Sequence, residues 1–204
     1  MKRFLMAIVA VLFAAPSFAQ YSSGGFSLSE SSVYYGMRLG LNVSTITGDF
    51  GLVSGSKAGL NLGGVIGLRV SEATPIFLES GLYYTQRGGK KDKNQYAELN
   101  YLEIPILMKY GVQVSDDIAV LPFIGPTFAL GIAGQTKSLA TNEEKHSSFD
   151  DCNRADVGIK LGCGAEYNKL YLELGYQFGI TNISKHDNLS GHNGAFFVNI
   201  GMNF

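Results

Sequence analysis

Apolar and polar residues alternate one by one along the chain from residue 33 to its last residue. In the clearest stretch, 170–181, apolar residues occupy the even positions, while Glu173 and Gln177 lie at odd positions. Alternation with a period of two places the two sets on opposite faces of a β-strand, and no helical period of three to four competes with it. The pattern therefore predicts eight strands, at 33–43, 57–70, 76–87, 96–114, 118–133, 154–167, 170–181 and 194–204.

The connectors between these strands are alternately long and short. The short ones are 71–75, 115–117 and 168–169, and the long ones are 44–56, 88–95, 134–153 and 183–193. Strands joined in this order run antiparallel, with all the long loops at one end and both chain ends at the other. Short inner turns, long outer loops and an even number of strands are typical of outer-membrane barrels. We therefore expect an all-β domain over 33–204, an eight-stranded antiparallel up-and-down β-barrel.

Charged residues occupy only one of the two strand faces. That face holds five basic and five acidic side chains: Arg38, Arg69, Arg87, Lys109, Lys160, Glu79, Glu103, Asp156, Glu166 and Glu173. A lysine or arginine that faces lipid at the middle of a bilayer costs about 2–4 kcal/mol, so a face without charge suits lipid contact. This partition favours a transmembrane barrel with a charged lumen over the alternative, a soluble lipocalin-like barrel with an apolar interior.

The balance of charge on that face also bears on what the lumen does. Eight strands enclose only enough space for side chains, so charges placed there have to pair with one another. We expect a closed lumen held by these ten residues as a structural ion-pair network, with glycines of the same face making room for the long charged side chains. The alternative is a pore for small solutes, which a lumen of one charge sign would favour.

The first residues have the pattern of an export signal. Two basic residues precede an apolar run at 4–15, and residues 17–19 match the small-x-small pattern of a cleavage site. This predicts a cleaved signal peptide at 1–19, followed by a Ser/Gly-rich periplasmic linker at 20–32. With a domain built of strands after it, the predicted location is the cell outer membrane.

Composition excludes or weakens other functional classes. Sixteen basic residues against seventeen acidic ones give a formal charge of −1, which argues against a nucleic-acid partner. Of the two cysteines, Cys152 lies in a polar loop and Cys163 lies in a predicted strand. Extended chain separates them by about 36 Å, so we expect two free thiols.

The chain ends on an aromatic residue, Phe204, on the apolar face of the last predicted strand. A terminal phenylalanine at this place resembles the C-terminal signal that outer-membrane barrels present to their insertion machinery. We therefore expect Phe204 to act as an assembly signal. The expected partners are the insertion machinery, outer-membrane lipid and lipopolysaccharide.

Several segments resemble the PorT-type outer-membrane β-barrel family of Bacteroidota. They are residues 40–44 (GLNVS), 81–88 (GLYYTQRG), 100–110 (NYLEIPILMKY), the Gly125-Pro126 step and 175–183 (GYQFGITNI). The resemblance covers nearly the whole mature chain and implies an eight-stranded barrel in the outer membrane. Because the founding member is associated with assembly of a protein secretion system, it also implies a role as an accessory to protein secretion.

The sequence contains no motif with the spacing of a catalytic, cofactor or metal site. His146, His186 and His192 all fall in predicted outer loops, near serine and aspartate residues, but their spacing fixes no geometry. We expect no enzyme activity, no cofactor and no metal. The expected role is structural or binding, towards surface or secretion-system partners, through outer loops 44–56 and 134–153.

Three prolines lie within the fourth and fifth predicted strands. Pro105, Pro122 and Pro126 each lack the N–H group that a β-ladder uses. We expect local bulges at these positions. The alternative is a weakened seam between the two strands, used for partner docking or lateral opening.

Overall fold

The computed structural model describes residues 33–48, 55–71, 73–92, 95–115, 117–138, 149, 152–184 and 190–204. The expected signal peptide at 1–19 and linker at 20–32 lie outside these residues, and both stay predictions. Within the described part of the chain, no helix is long and apolar enough to cross a membrane. The regular elements here are β-strands.

Nine strand segments follow one another, and all neighbours in the sheet run antiparallel. Their bounds are β1 (Val33–Thr47), β2 (Gly55–Arg69), β3 (Ile76–Asp92), β4 (Gln95–Tyr110), β5 (Val112–Ser115), β6 (Ile118–Ser138), β7 (Ala155–Tyr167), β8 (Leu170–Gly179) and β9 (His192–Asn203). β4 and β5 form one strand of the barrel, because only Gly111 separates them and both pair with β6. The barrel therefore has eight strands, as the alternation predicts.

The sheet closes on itself into a barrel. β9 pairs with β1, and β4 pairs with β6, so the ring of strands is complete. Going from each residue to its ladder partner leads once round the barrel from Val33 to Val43, which lies ten residues further along β1. The residues on this path are Val33, Leu68, Leu78, Met108, Ile124, Leu161, Tyr176, Phe196 and Val43. This stagger over eight strands corresponds to a strand tilt of roughly 40° from the barrel axis.

Exposure alternates along the strands with the same period as the sequence. In β1, the side chain of Leu41 is 59% exposed, whereas that of Arg38 is 1% exposed. In β8, Leu172 and Leu174 are exposed on either side of the buried Glu173. The outer surface of the barrel is therefore apolar and the charged side chains point inwards, which is the arrangement expected of a transmembrane barrel.

Six of the eight barrel strands extend further into the predicted outer loops than the alternation indicates, whereas β7 and β8 stop one and two residues short of their predicted loop ends. β1 runs on to Thr47 and β2 begins at Gly55, so the predicted loop 44–56 is shorter at both ends. β6 continues to Ser138, which removes the first part of loop 134–153. The prediction of a long loop at 88–95 is wrong, because β3 and β4 are separated by residues 93–94 alone. Beyond the membrane the outer strand face meets water instead of lipid, so pairing continues there without an apolar outer face.

The three strand prolines produce no bulges, so this expectation is wrong. The register of β6 with β4 and with β7 is the same on both sides of Pro122 and Pro126. Instead, the ladder between β4 and β6 pairs Pro105 with Thr127 and Met108 with Ile124, and omits the two pairs between them. A proline that lacks its N–H leaves such a gap without changing the register. A functional seam at this gap stays a prediction.

Candidate functional site

The lumen contains a first group of charged side chains near the end of the barrel where β1 begins and β9 ends, which we call the lower cluster. Glu79 from β3 is at its centre. Its carboxylate lies 2.8 Å from Nζ of Lys109 and 3.5 Å from Nη2 of Arg38, and it accepts a hydrogen bond of 2.7 Å from the Tyr34 hydroxyl. Strands β1, β3 and β4 each contribute to this group, so it ties non-adjacent strands together across the lumen.

Asn203 extends the lower cluster to the closing strand of the barrel. Its side-chain oxygen accepts a hydrogen bond of 2.7 Å from Nη2 of Arg38, and its amide group donates one of 2.5 Å to Glu166. Tyr171 packs on the same group, since the Arg38 guanidinium lies 4.0 Å from the centre of its ring. The last strand is thus fixed to the first by side chains as well as by the backbone ladder.

A second group, the upper cluster, lies closer to the outer loops. The guanidinium of Arg87 forms ion pairs with Glu103 and, at 3.2 Å, with Asp156. Nζ of Lys160 lies 2.8 Å from the other oxygen of Glu103. Gln177 completes the group, because its oxygen accepts from Arg87 at 2.8 Å and its amide nitrogen donates to Glu103 at 3.0 Å.

Amide side chains connect further residues to these clusters at mid-height. Asn61 donates to Asn199 at 3.0 Å, and Asn199 donates to Glu173 at 2.7 Å. Glu173 in turn lies 3.9 Å from Nζ of Lys109 in the lower cluster. Buried polar groups therefore fill the lumen over much of its height, and each carboxylate in them lies beside a donor.

Nine of the ten charged residues that the sequence places in the lumen are buried. The exception is Arg69, which is half-buried at the end of β2, where its Nε donates to the carbonyl of Ser71 at 3.0 Å. The residues that are buried carry four positive and five negative formal charges: Arg38, Arg87, Lys109, Lys160, Glu79, Glu103, Asp156, Glu166 and Glu173. Neither sign dominates.

Apolar groups complete the filling of the lumen at both ends. The one at the end where β1 begins consists of Tyr34, Phe77, Ala119, Leu121 and Tyr171. The one near the outer loops consists of Ile46, Leu99, Tyr101, Ala129, Phe149, Cys152 and Ile183, and we call it the outer cap. In the outer cap, the Phe149 and Tyr101 rings meet edge to face, with centres 6.0 Å apart. Loop residues thus fold back over the charged interior.

The alternation places Phe149, Cys152 and Ile183 in predicted loops, so the predicted lumen does not include them. Phe149 and Ile183 are isolated apolar residues within polar segments, and that isolation is the signal that could have identified them. A backbone bridge between Cys152 and Ser184 holds the two segments together. Both Cys152 and Cys163 are free thiols, as expected.

Many of the lumen glycines make room for aromatic rings and few for charged side chains, which differs from the expected role. A Cβ atom at Gly67 would fall on the ring of Tyr34, its partner across the ladder. Other glycines lie against rings in the same way: Gly63 against Tyr83, Gly162 against Phe123, Gly164 against Tyr171, Gly175 against Phe197 and Gly131 against Phe149. Only some, such as Gly36 and Gly201, face a charged side chain, that of Arg38.

The remaining candidate residues are placed as follows. Phe204 exchanges two backbone hydrogen bonds with Tyr35, of 2.7 and 3.2 Å, and its ring is exposed on the apolar outer surface. The ring of His192 has Nδ1 3.1 Å from the carbonyl of Thr181. His146 and His186 lie outside the described residues. Among the residues that are described, no three His, Cys, Asp or Glu side chains are grouped so that they could hold a metal ion.

The chain matches one family of known proteins. Residues 18–185 match the family model of the outer membrane protein beta-barrel domain. Among curated proteins, none matches this chain.

Solved structures of bacterial outer-membrane proteins resemble the barrel at low sequence identity. Neisserial surface protein A is 16% identical over 85% of this chain and 98% of its own, with a TM-score of 0.50. A major outer membrane protein from Thermus thermophilus is 12% identical over 85% of this chain and 100% of its own, also with a TM-score of 0.50. Ail, the attachment invasion locus protein of Yersinia pestis, is 13% identical over 85% and 100%, with a TM-score of 0.47.

Proposed function

Because the chain belongs to the family of outer membrane protein beta-barrel domains, we propose that it is a closed barrel that acts as a structural and binding protein rather than as a pore. The filled lumen is the observation that supports this proposal. The lower cluster, the upper cluster and the outer cap together occupy the interior. A barrel of eight strands has little space left once such side chains fill it.

The charge pattern of the lumen also disfavours conduction of ions. A selective pore uses a ring of one charge sign to attract its ion. Here Glu79 and Glu103 each lie within 4.0 Å of a lysine or arginine group, so their charge is already neutralised by the protein. An ion that entered would have to displace these pairs and the outer cap.

Conductance of the purified barrel tests the closed state. The wild-type protein, refolded and inserted into a planar lipid bilayer, is expected to give no steady single-channel current, while a porin in the same bilayer gives large steps. Folding is checked on the same sample by its faster migration on a gel when it is not heated. Large, steady currents from the folded wild type would overturn the proposal.

Binding is assigned to the loop end of the barrel, where residues 48–54 and 139–154 connect the extended strands. Residues 48–54 and 139–153 are what remains of the predicted binding loops 44–56 and 134–153 after the strand residues are removed. We assign surface or secretion-system partners to them, and the barrel insertion machinery to Phe204 at the opposite end. No enzymatic role is included, because no catalytic spacing supports one.

A more specific role as a PorT-type accessory to protein secretion rests on the sequence resemblance. The most specific segment, 101–105 (YLEIP), contributes Tyr101 to the outer cap and Glu103 to the upper cluster. Deleting the gene and comparing the secreted proteins tests this role. Loss of secretion that the intact gene restores supports it, and an unchanged set of secreted proteins contradicts it.

A further inference from the structure

A polar pocket lies on the barrel wall just above the apolar belt. It has a volume of 460 Å³, and its lining includes Glu98 and Asn100 from β4, Gln135 from β6, and Arg154. Ala97, Leu99 and Tyr101 are buried in the lumen. Glu98 and Asn100 therefore continue the outward face of β4, on which Leu102 and Ile104 are exposed.

The strand geometry at this point opens a space between side chains. The register between β4 and β6 shifts at Asn100 and Tyr101, so Ile132 has no partner and Asn100 pairs with Ala133. Glu98 pairs with Gln135, which places those two polar side chains opposite each other. Ala133 and Gly134, which precede Gln135 in β6 and line the pocket, are small, so the space between the polar side chains stays open.

The polar atoms of the pocket provide both acceptors and donors. Oδ1 of Asn100 is buried and accepts no hydrogen bond from any described residue. Arg154 is held in place by a hydrogen bond of 3.2 Å to the carbonyl of Gly131 and by the Phe149 ring, 5.0 Å from its guanidinium carbon. It remains exposed. The groups that a ligand can reach from solvent are therefore the carboxylate of Glu98 and the side chains of Gln135 and Arg154.

We propose that this pocket binds the hydroxyl-rich ring of a saccharide. Sugar hydroxyls both donate and accept, which suits the carboxylate acceptor on Glu98 together with the donors on Gln135 and Arg154. A bare phosphate fits less well, because the carboxylate of Glu98 lines the same pocket. Lys57, 3.4 Å from Glu98, keeps that carboxylate paired. The inference rests on the proposed binding role of the outer end and names a ligand class for it.

Two sources offer this chemistry: the sugar headgroup of an outer-leaflet glycolipid and a free surface polysaccharide. Calorimetric titration of the folded protein in detergent compares three saccharide probes and one anion. The probes are intact lipopolysaccharide, its deacylated core oligosaccharide, a set of neutral hexose oligosaccharides, and inorganic phosphate. Binding of the first two identifies the headgroup, and binding of the hexose oligosaccharides alone identifies a free glycan. Both results support the pocket.

Variants decide whether the binding occurs in this pocket. Gln135→Ala is expected to weaken saccharide binding about five- to tenfold, the effect of one hydrogen bond. Gln113→Ala is the matched control, since Gln113 is an exposed glutamine at the opposite end of the barrel, and it should leave binding unchanged. Absence of saccharide binding, equal binding by all variants, or equally strong binding of phosphate overturns the site. None of these results affects the closed barrel, which conductance tests separately.

Discussion

At the residue scale, the buried ion pairs hold strands that are distant in the sequence. Arg87 of β3 meets Asp156 of β7, and Lys160 of β7 meets Glu103 of β4. The alternation predicts that each of these residues faces the lumen, but it does not predict how far along the barrel axis each of them lies. Their partners depend on the stagger of the strands, which no single strand encodes, so the face is predictable and the pairs are not.

Glu103 is the residue whose removal tests these pairs most directly. Glu103→Ala leaves Arg87 and Lys160 buried without the carboxylate between them. Loss of one partner from a buried pair costs about 3–5 kcal/mol, so we expect the free energy of unfolding to fall by that amount. Denaturant unfolding of the barrel refolded in lipid vesicles measures it.

Glu98→Gln is the control for that measurement. Glu98 also forms an ion pair, with Lys57 at 3.4 Å, but its side chain is partly exposed at the rim. A partly exposed pair contributes about 0–1 kcal/mol, so this variant should unfold nearly as the wild type does. If the free energy of unfolding fell by the same amount in both variants, the buried lumen pairs would contribute no more to stability than the pair at the rim does.

At the scale of the strand, glycines and aromatic rings are matched across the ladders. Gly67 lies opposite Tyr34, Gly162 opposite Phe123, and Gly175 opposite Phe197. The sequence predicts each strand and the face of each glycine. It does not predict the match, because a glycine's neighbour depends on the register of the next strand. The outer strand ends were missed for another reason, since pairing above the membrane needs no apolar face.

Gly67→Ala tests the matching of glycine and ring. The added methyl group would overlap the ring of Tyr34, whose hydroxyl donates to Glu79. Overpacking of this kind costs about 1–3 kcal/mol, and we expect that loss in the free energy of unfolding. The same denaturant experiment in lipid vesicles applies.

Gly55→Ala provides the comparison within the same strand. The three atoms nearest to a Cβ there belong to the Lys90 side chain, at 3.3 to 4.0 Å, and none is closer than 3.0 Å, so a change within about 0.5 kcal/mol is expected. A loss at Gly55 as large as the loss at Gly67 would show that the cost arises from glycine replacement in β2 and not from the Tyr34 ring.

At the scale of the whole molecule, the protein reverses the usual globular arrangement, with apolar residues on the outer surface and charged residues in a filled lumen. Apolar residues such as Leu41 face outwards, and the two charged clusters lie between apolar groups at the ends of the lumen. The eight strands, their direction and their orientation to lipid follow from the sequence pattern. The outer cap does not, because Phe149 reaches it from a segment without alternation.

Tryptophan fluorescence in brominated lipid tests the inverted arrangement most directly. The chain contains no tryptophan, so Phe196→Trp and Phe197→Trp each introduce a single reporter, at adjacent positions of β9. Phe196 is 45% exposed on the outer surface and Phe197 is 2% exposed in the lumen. We predict that brominated lipid strongly quenches the first variant and leaves most of the fluorescence of the second. Equal quenching of the two, or stronger quenching at position 197, would contradict an apolar exterior around a charged lumen.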